Sequence, residues 1–230
     1  LHLCDRRQRQ MCIRDSSIPD IIVSDIMMPV MNGIMMCKIL KEDVRTSHIP
    51  IILLTAKDSL QDKEEGYQVG ADSYLTKPFS ATLLHSRINN LLESRKRLTE
   101  RFNTSTPHHN MDEKRALLAE SLNKLDNEFI EKINQLIEAR LSSEKIDIGY
   151  LADNMCMSKS TLYRKMKALT GLSTNEYVRK IKMQHAERLL LEGRYNISEV
   201  AFRVGINSVV YFRQCFKEEF GVLPSEYLKQ

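Results

Sequence analysis

"PDIIVSDIMMPVMNG", Pro19–Gly33, decides the reading of the front of the chain. A short apolar run rich in β-branched residues stops at a single aspartate, Asp25. The turn behind it contains Met27, Met28, Pro29, Asn32 and Gly33. Continuous runs of this kind suit strands buried on both faces of a parallel sheet. "HIPIILLTA" (His48–Ala56) and "DSYLTKPF" (Asp72–Phe79) are two more. Helical stretches at Gly33–Glu42 and Leu60–Val69 have the length of crossovers between them, and such alternation predicts an α/β fold.

The chain has 230 residues, enough for two ordinary domains, with 42% hydrophobic and 28% charged residues. No apolar run approaches the roughly 20 residues of a membrane helix. The Arg-rich first residues lack the apolar core of a signal peptide. Five scattered cysteines (Cys4, Cys12, Cys37, Cys156, Cys215) form no CxxC pair, which reads as reduced thiols rather than disulfides or a zinc site. Charge is divided: Ser17–Glu93 holds 7 Lys+Arg against 10 Asp+Glu, and Asp147–Gln230 holds 13 against 9. An acidic front and a basic back imply two domains with different partners.

After "LLHSRINNLLESRKRLTERF" the pattern changes. "NTSTPHHN", with Pro107 inside it, reads as a linker, and His108–His109 there as solvent-facing rather than metal-binding. The remainder is all-α: Glu128–Leu141 carries Phe129, Ile130, Ile133, Ile137 and Leu141 at helical spacing. Residues 1–16 have no period, cap or initiating Met. They resemble translated adapter read-through and are expected to be non-native or a disordered basic arm. The resulting division is 17–93 for the α/β part, 94–126 for a partly helical linker and 127–230 for the helical domain.

A parallel sheet places its ligands at the carboxyl ends of its strands. Asp25, Thr55 and Lys77 stand in order at the ends of the three runs. A carboxylate that accepts a phosphoryl group, a hydroxyl to hydrogen-bond it and an ammonium to pair with its charge would form one coherent site. A lone Asp after a strand is more often a turn former, so the weight rests on the set.

"IIVSDIMMPVMNG", "IPIILLTA" and "GADSYLTKPF" resemble the receiver domain of two-component response regulators. The resemblance implies a flavodoxin-like fold represented here by strands 3-4-5 with their helices. It makes Asp25 the phospho-acceptor and gives the backbone carbonyl of Met27 and Asp25 a share in holding Mg²⁺. It makes Thr55 and Tyr74 a switch pair, with Lys77 contacting the phosphoryl group and a cis Lys77–Pro78 bond. Pro29 and Gly33 then shape the loop over the site. The family's acidic Mg²⁺-binding pair, on a strand before this point, has no counterpart. Asp5 is no substitute, because the 24 residues ahead of Asp25 cannot hold two crossovers and two strands. The expectation is weak or absent Mg²⁺ binding and poor phosphorylation. Met27, Met28, Met31, Met35 and Met36 read as loop and core filler.

"IDIGYLADNMCMSKSTLYRKMKALTG" and "NISEVAFRVGINSVVYFRQCFKEEFG" share one plan: short helix, tight turn, longer helix. In the first, Met157–Ser158 reads as the turn and Ser158 as an N-cap, with Leu162, Met166 and Leu169 as the buried stripe. In the second, Gly205 permits the turn and Phe212, Phe216 and Phe220 form the stripe, as core rather than base-stacking groups. Thr174–Leu191 between them reads as one helix, about 27 Å long at 1.5 Å per residue. That length suits a spacer between recognition helices in successive major grooves.

Residues 127–230 resemble the AraC/XylS-type DNA-binding domain, "ISEVAFRVG" followed by "YFRQCFKEEFGVLPSEYLKQ" being the specific part. The resemblance implies that Ser160, Tyr163, Arg164 and Lys167 face DNA from the first unit, and Val209, Val210, Arg213 and Gln214 from the second. Val209–Val210 departs from the polar pair expected there, leaving thymine-methyl contact or packing as its role. Arg and Lys on a helix face are more often simply solvated.

Together these readings make a cytoplasmic, phosphorylation-regulated transcription factor, not an enzyme. Its partners are double-stranded DNA, a histidine kinase in cis or in trans, and a second copy when phosphorylated; no membrane contact falls in this segment. The linker and helical domain resemble those of hybrid sensor proteins of Bacteroidetes, which favours a cytoplasmic tail of a membrane sensor over a stand-alone regulator. The alternative is a pseudo-receiver that tethers a partner without phosphorylation.

Overall fold

The computed structural model describes residues 18–56, 69–103, 123–142 and 146–228. It divides into two compact units, residues 1–97 and 98–230. The reading of a helix over Leu60–Val69 lies outside the described residues except for Val69, which is in a turn.

In the first unit, β1 (Ile22–Asp25), β2 (Ile51–Thr55) and β3 (Ser73–Thr76) form a parallel sheet in the order β1-β2-β3. β2, the central strand, is apolar along its length because both faces are covered, and Ile51, Ile52 and Leu53 are wholly buried. Helix α1 (Gly33–Glu42) matches the sequence reading. Asn32 caps it, its side-chain oxygen accepting from the Met35 amide at 2.7 Å. Cys37 and Leu40 pack with Ile51, Leu53, Ala71 and Tyr74 to make the core of this unit. Asp72, just before β3, accepts from the Ile51 amide at 2.8 Å and pairs with Lys41 of α1 at 2.7 Å. Helix α2 (Ala81–Asn103) runs through residue 93, where the sequence reading placed a domain boundary.

The methionines divide between loop and core. Met36 packs against the core, but Met27, Met31 and Met35 are exposed.

In the second unit α3 (Lys124–Glu138) starts earlier than the apolar spacing suggested, because Asn123 caps it. Two matched helix pairs follow: α4 (Ile148–Asn154) with α5 (Lys159–Thr170), and α7 (Ile197–Arg203) with α8 (Val209–Phe220). Helix α6 (Thr174–Leu191) lies between them in sequence and α9 (Pro224–Tyr227) follows. Helices α5 and α8 have the same length, a serine N-cap (Ser158, Ser208) and a left-handed glycine after the last turn (Gly171, Gly221). The turns match too. The Met157 amide bonds to the Ala152 carbonyl at 3.0 Å, and the Ile206 amide to the Ala201 carbonyl at 2.9 Å. Gly205 takes φ 66° in one turn and Cys156 takes φ 52° in the other, so Cys156 is the pivot of the turn read as Met157–Ser158.

Helix α6 is more than a spacer. It touches α3, α5, α7 and α8, and it buries Tyr177, Val178, Ile181, Met183, Ala186 and Leu190 together with Lys180 and Lys182. The lysines are accommodated by partners: Lys180 pairs with Glu219 at 3.4 Å and Lys182 donates to the Gly205 carbonyl at 3.3 Å. Phe212 and Phe216 are fully buried and Phe220 partly so, as the core reading requires.

One buried ion pair had no signal in the sequence. Lys165 on α5 is fully buried and its ammonium meets the Asp126 carboxylate of α3 at 2.6 Å, with the ammonium 4.8 Å from the centre of the Phe129 ring. Removing one partner strands a buried charge. Lys165→Met is expected to cost about 3–5 kcal/mol in chemical denaturation followed by helix signal, and Asp126→Leu in the same chain to restore most of it. A loss below about 1 kcal/mol in the single variant would show that the pair is not holding α3 to α5.

Candidate functional site

The parallel register creates the first site. Asp25 is opposite Leu54, Leu54 opposite Leu75, and Thr55 opposite Thr76. The three strands therefore finish level on one edge. The Lys77 amide donates to the Thr55 carbonyl at 2.7 Å, which carries the chain after β3 along that edge. The Lys77 ammonium then makes a short hydrogen-bonded ion pair with the Asp25 carboxylate, whose other oxygen accepts from the Met27 amide at 3.2 Å. The Lys77–Pro78 bond is cis.

Lys77 donates to the ionised form of Asp25 and so holds its carboxyl below the usual carboxylate range, with the Met27 amide acting in the same direction. Both side chains are over a third or close to a third exposed, at 40% and 33%. Such a pair contributes little to stability; its consequence is an ionised carboxylate with a cation beside it. Thr55 and Tyr74 differ in setting: Thr55 is 3% exposed at the end of β2 and Tyr74 is part of the apolar core. The structure thus brings Asp25 and Lys77 into contact and keeps Thr55 and Tyr74 buried.

Gly33 carries the loop. A Cβ there would collide with the Asp25 carbonyl oxygen and lie 3.0 Å from the Ile26 Cα, while the Gly33 amide donates to the Ile26 carbonyl at 2.9 Å. Val30, fully exposed, sits at φ 77°, a conformation that costs a β-branched residue steric energy. The Lys41–Asp72 pair described above lies at the opposite ends of β2 and β3 and was not anticipated. A charged residue just ahead of a strand was its only trace in the sequence.

The second candidate site is the outer face of α5 and α8. On α5, Leu162, Lys165, Met166 and Leu169 face inward, while Ser160, Tyr163 and Lys167 are exposed and Arg164 is half-buried. On α8, Phe212, Cys215 and Phe216 face inward, while Val210, Arg213 and Gln214 are exposed and Val209 is half-buried. The Gln214 side chain donates to Glu218 at 3.1 Å. Arg179 of α6 pairs with Glu218 at 3.4 Å and bonds to Tyr211, which ties α8 to the buried helix. Among the described residues no cluster of three or more His, Cys, Asp or Glu could hold a metal ion, and no helix is long and apolar enough to cross a membrane.

A response regulator receiver domain model matches residues 4–89, and a helix-turn-helix domain model matches residues 151–230. The chain joins a response-regulator receiver domain to a helix-turn-helix domain. The receiver match starts at residue 4, within the stretch that the sequence reading set aside. At 35% identity, 94% of the chain is similar to "Histidine kinase P4" of Formosa agariphila and spans 15% of that protein. At 42% identity, 36% of the chain is similar to the DNA-binding dual master transcriptional regulator RpaA of Synechocystis and spans 34% of it. Among solved structures, the C-terminal domain of AraT, a response regulator from Geobacillus stearothermophilus, is 31% identical over 44% of this chain and 84% of that chain, with a TM-score of 0.41. The chain spans about a third or less of the length of these two curated relatives.

Two outcomes test the receiver geometry. In Lys77→Met the Asp25 carboxyl should titrate higher, back toward the ordinary value of about 3.9. Because the native value is depressed, any stability that the pair confers is present above the ordinary value and lost as pH falls through the depressed one. Carboxyl-carbon NMR titration of both proteins checks this, and coincident curves would remove Lys77 as the cause. Gly33→Ala must move the backbone at Asp25, and a stability loss of about 1–3 kcal/mol in the receiver, seen as a lowered thermal midpoint, is expected.

Proposed function

We propose that this regulator is controlled by phosphorylation of Asp25, and that phosphorylation changes how its two helix-turn-helix units engage DNA. The observation that carries the reading is the ionised Asp25 carboxylate held by the Lys77 ammonium at the carboxyl edge of a parallel sheet. A phosphohistidine of a kinase gives its phosphoryl group to an Asp25 oxygen: the N–P bond breaks, the O–P bond forms, and the imidazole nitrogen keeps the electron pair. Lys77 moves its hydrogen bond from the carboxylate to a phosphoryl oxygen. The Thr55 hydroxyl supplies a second bond, and Tyr74 follows in the core beneath it. The altered receiver surface favours a homodimer, which raises the effective concentration of paired DNA-binding domains at adjacent sites.

Among the described residues, Asp25 and the Met27 carbonyl would supply oxygen donors to Mg²⁺. This thin set suits an ion that keeps most of its water and gains phosphoryl oxygens. Such an ion would neutralise charge on the transferring group. The absence of a larger acidic cluster among the described residues is also what favours the second reading, a pseudo-receiver that tethers a partner. On the DNA side, Ser160, Tyr163, Arg164 and Lys167 act from α5, and Val209, Val210, Arg213 and Gln214 from α8. The likeness over most of the chain to a protein named a histidine kinase supports a hybrid arrangement, with kinase, receiver and DNA-binding domain in one polypeptide and this segment in the cytoplasm.

The test is intact-mass analysis after incubation with acetyl phosphate and Mg²⁺. A gain of one phosphoryl group at partial occupancy, lost in Asp25→Asn, is expected. No gain with any small phosphodonor would replace this reading by the tethering one.

A further inference from the structure

The two recognition helices align position by position, since each begins one residue after a capping serine and ends one residue before a left-handed glycine. Counted from the caps, Ser160 corresponds to Val210, Tyr163 to Arg213, Arg164 to Gln214 and Lys167 to Lys217. The second position of each helix lies in the first turn, the part of a recognition helix that meets base edges. One helix places a small hydroxyl there and the other an isopropyl group.

Packing does not account for that isopropyl group. Val210 is 77% exposed, whereas its neighbour Val209 is half-buried and Phe212, two residues on, is fully buried. Exposure alone would not single it out, because Phe202 on α7 is 71% exposed. Its company does: Arg213 and Gln214 are three and four residues further along, on the same face, and both are exposed. A valine can neither bond a phosphate nor pair with a donor or acceptor. The one apolar feature that a base edge offers in the major groove is the thymine C5-methyl group. Valine at this place is also stiff at χ1, so little side-chain freedom is lost when it is covered.

We infer that Val210 reads a thymine methyl group, so that the two halves of the DNA site are unlike. The α8 half carries a preferred thymine where the α5 half, facing Ser160, carries no such preference. This inference rests on the DNA-binding reading of the preceding subsection.

The experiment selects DNA from a random-sequence pool with the full chain and then replaces each thymine of the selected site, one at a time, by deoxyuridine, which lacks only the methyl group. One thymine should be sensitive, with binding weakened about fourfold, the worth of one buried carbon. In Val210→Ala, thymine and deoxyuridine at that position should bind alike, while substitutions elsewhere in the site keep their effects. A site with no sensitive thymine, or one whose sensitivity survives Val210→Ala, overturns the inference and leaves DNA binding standing. A pool that yields no enriched sequence overturns the DNA-binding reading and this inference with it.

Discussion

Parallel strands that finish level must deliver their last residues to one edge, and the receiver depends on that constraint. Asp25 and Lys77 are 52 residues apart in sequence, and each would be an ordinary solvated charge by itself. The register of β1 on β2 and of β2 on β3 brings them together. Local chemistry then completes the site. Gly33 lets the returning chain pass close against the Asp25 carbonyl, and the Met27 amide takes one carboxylate oxygen.

In the helical domain the corresponding constraint is a helix with half of its residues buried. Helix α6 packs against elements of both helix-turn-helix units, so it must bury residues on faces that an amphipathic helix leaves to water. Lys180 and Lys182 show how this is possible. Each brings its own charge into the interior and finds an acceptor there, the Glu219 carboxylate and the Gly205 carbonyl. Lys165 does the same against Asp126. These contacts attach α5 to α3 and α8 to α6, so the orientation of the recognition helices is set by buried polar partners as well as by apolar packing. A buried pair of this kind is directional, which apolar contacts are not.

Elements with strong local signals were legible in the sequence. Helix α1, the three strands, the Phe212–Phe216 stripe and the Ser158 cap follow from hydrophobic period and cap chemistry, which act between residues close in the chain. The start of α3 was read late because Asn123 and Asp126 are polar and add nothing to an apolar pattern. The turn of the first helix pair was placed one residue late because its pivot is a cysteine, and left-handed backbone is expected at glycine. The methionines around the β1–α1 turn were read as loop and core filler without assigning which was which, because burial is a property of the surroundings.

By itself, then, the sequence determined the class of each domain, the strand-end trio of Asp25, Thr55 and Lys77, and, Arg164 and Val209 apart, the exposed residues named on the recognition helices. Periodicity, capping and motif order are written locally. Tertiary structure alone decided that Lys77 touches Asp25 while Thr55 and Tyr74 lie buried, that Lys165 is an interior residue rather than a solvated one, and that Val210 is open while Val209 is half-covered. Each of these depends on which distant segment lies within a few ångströms of a side chain. Desolvation and charge pairing act through that proximity, whatever the separation along the chain.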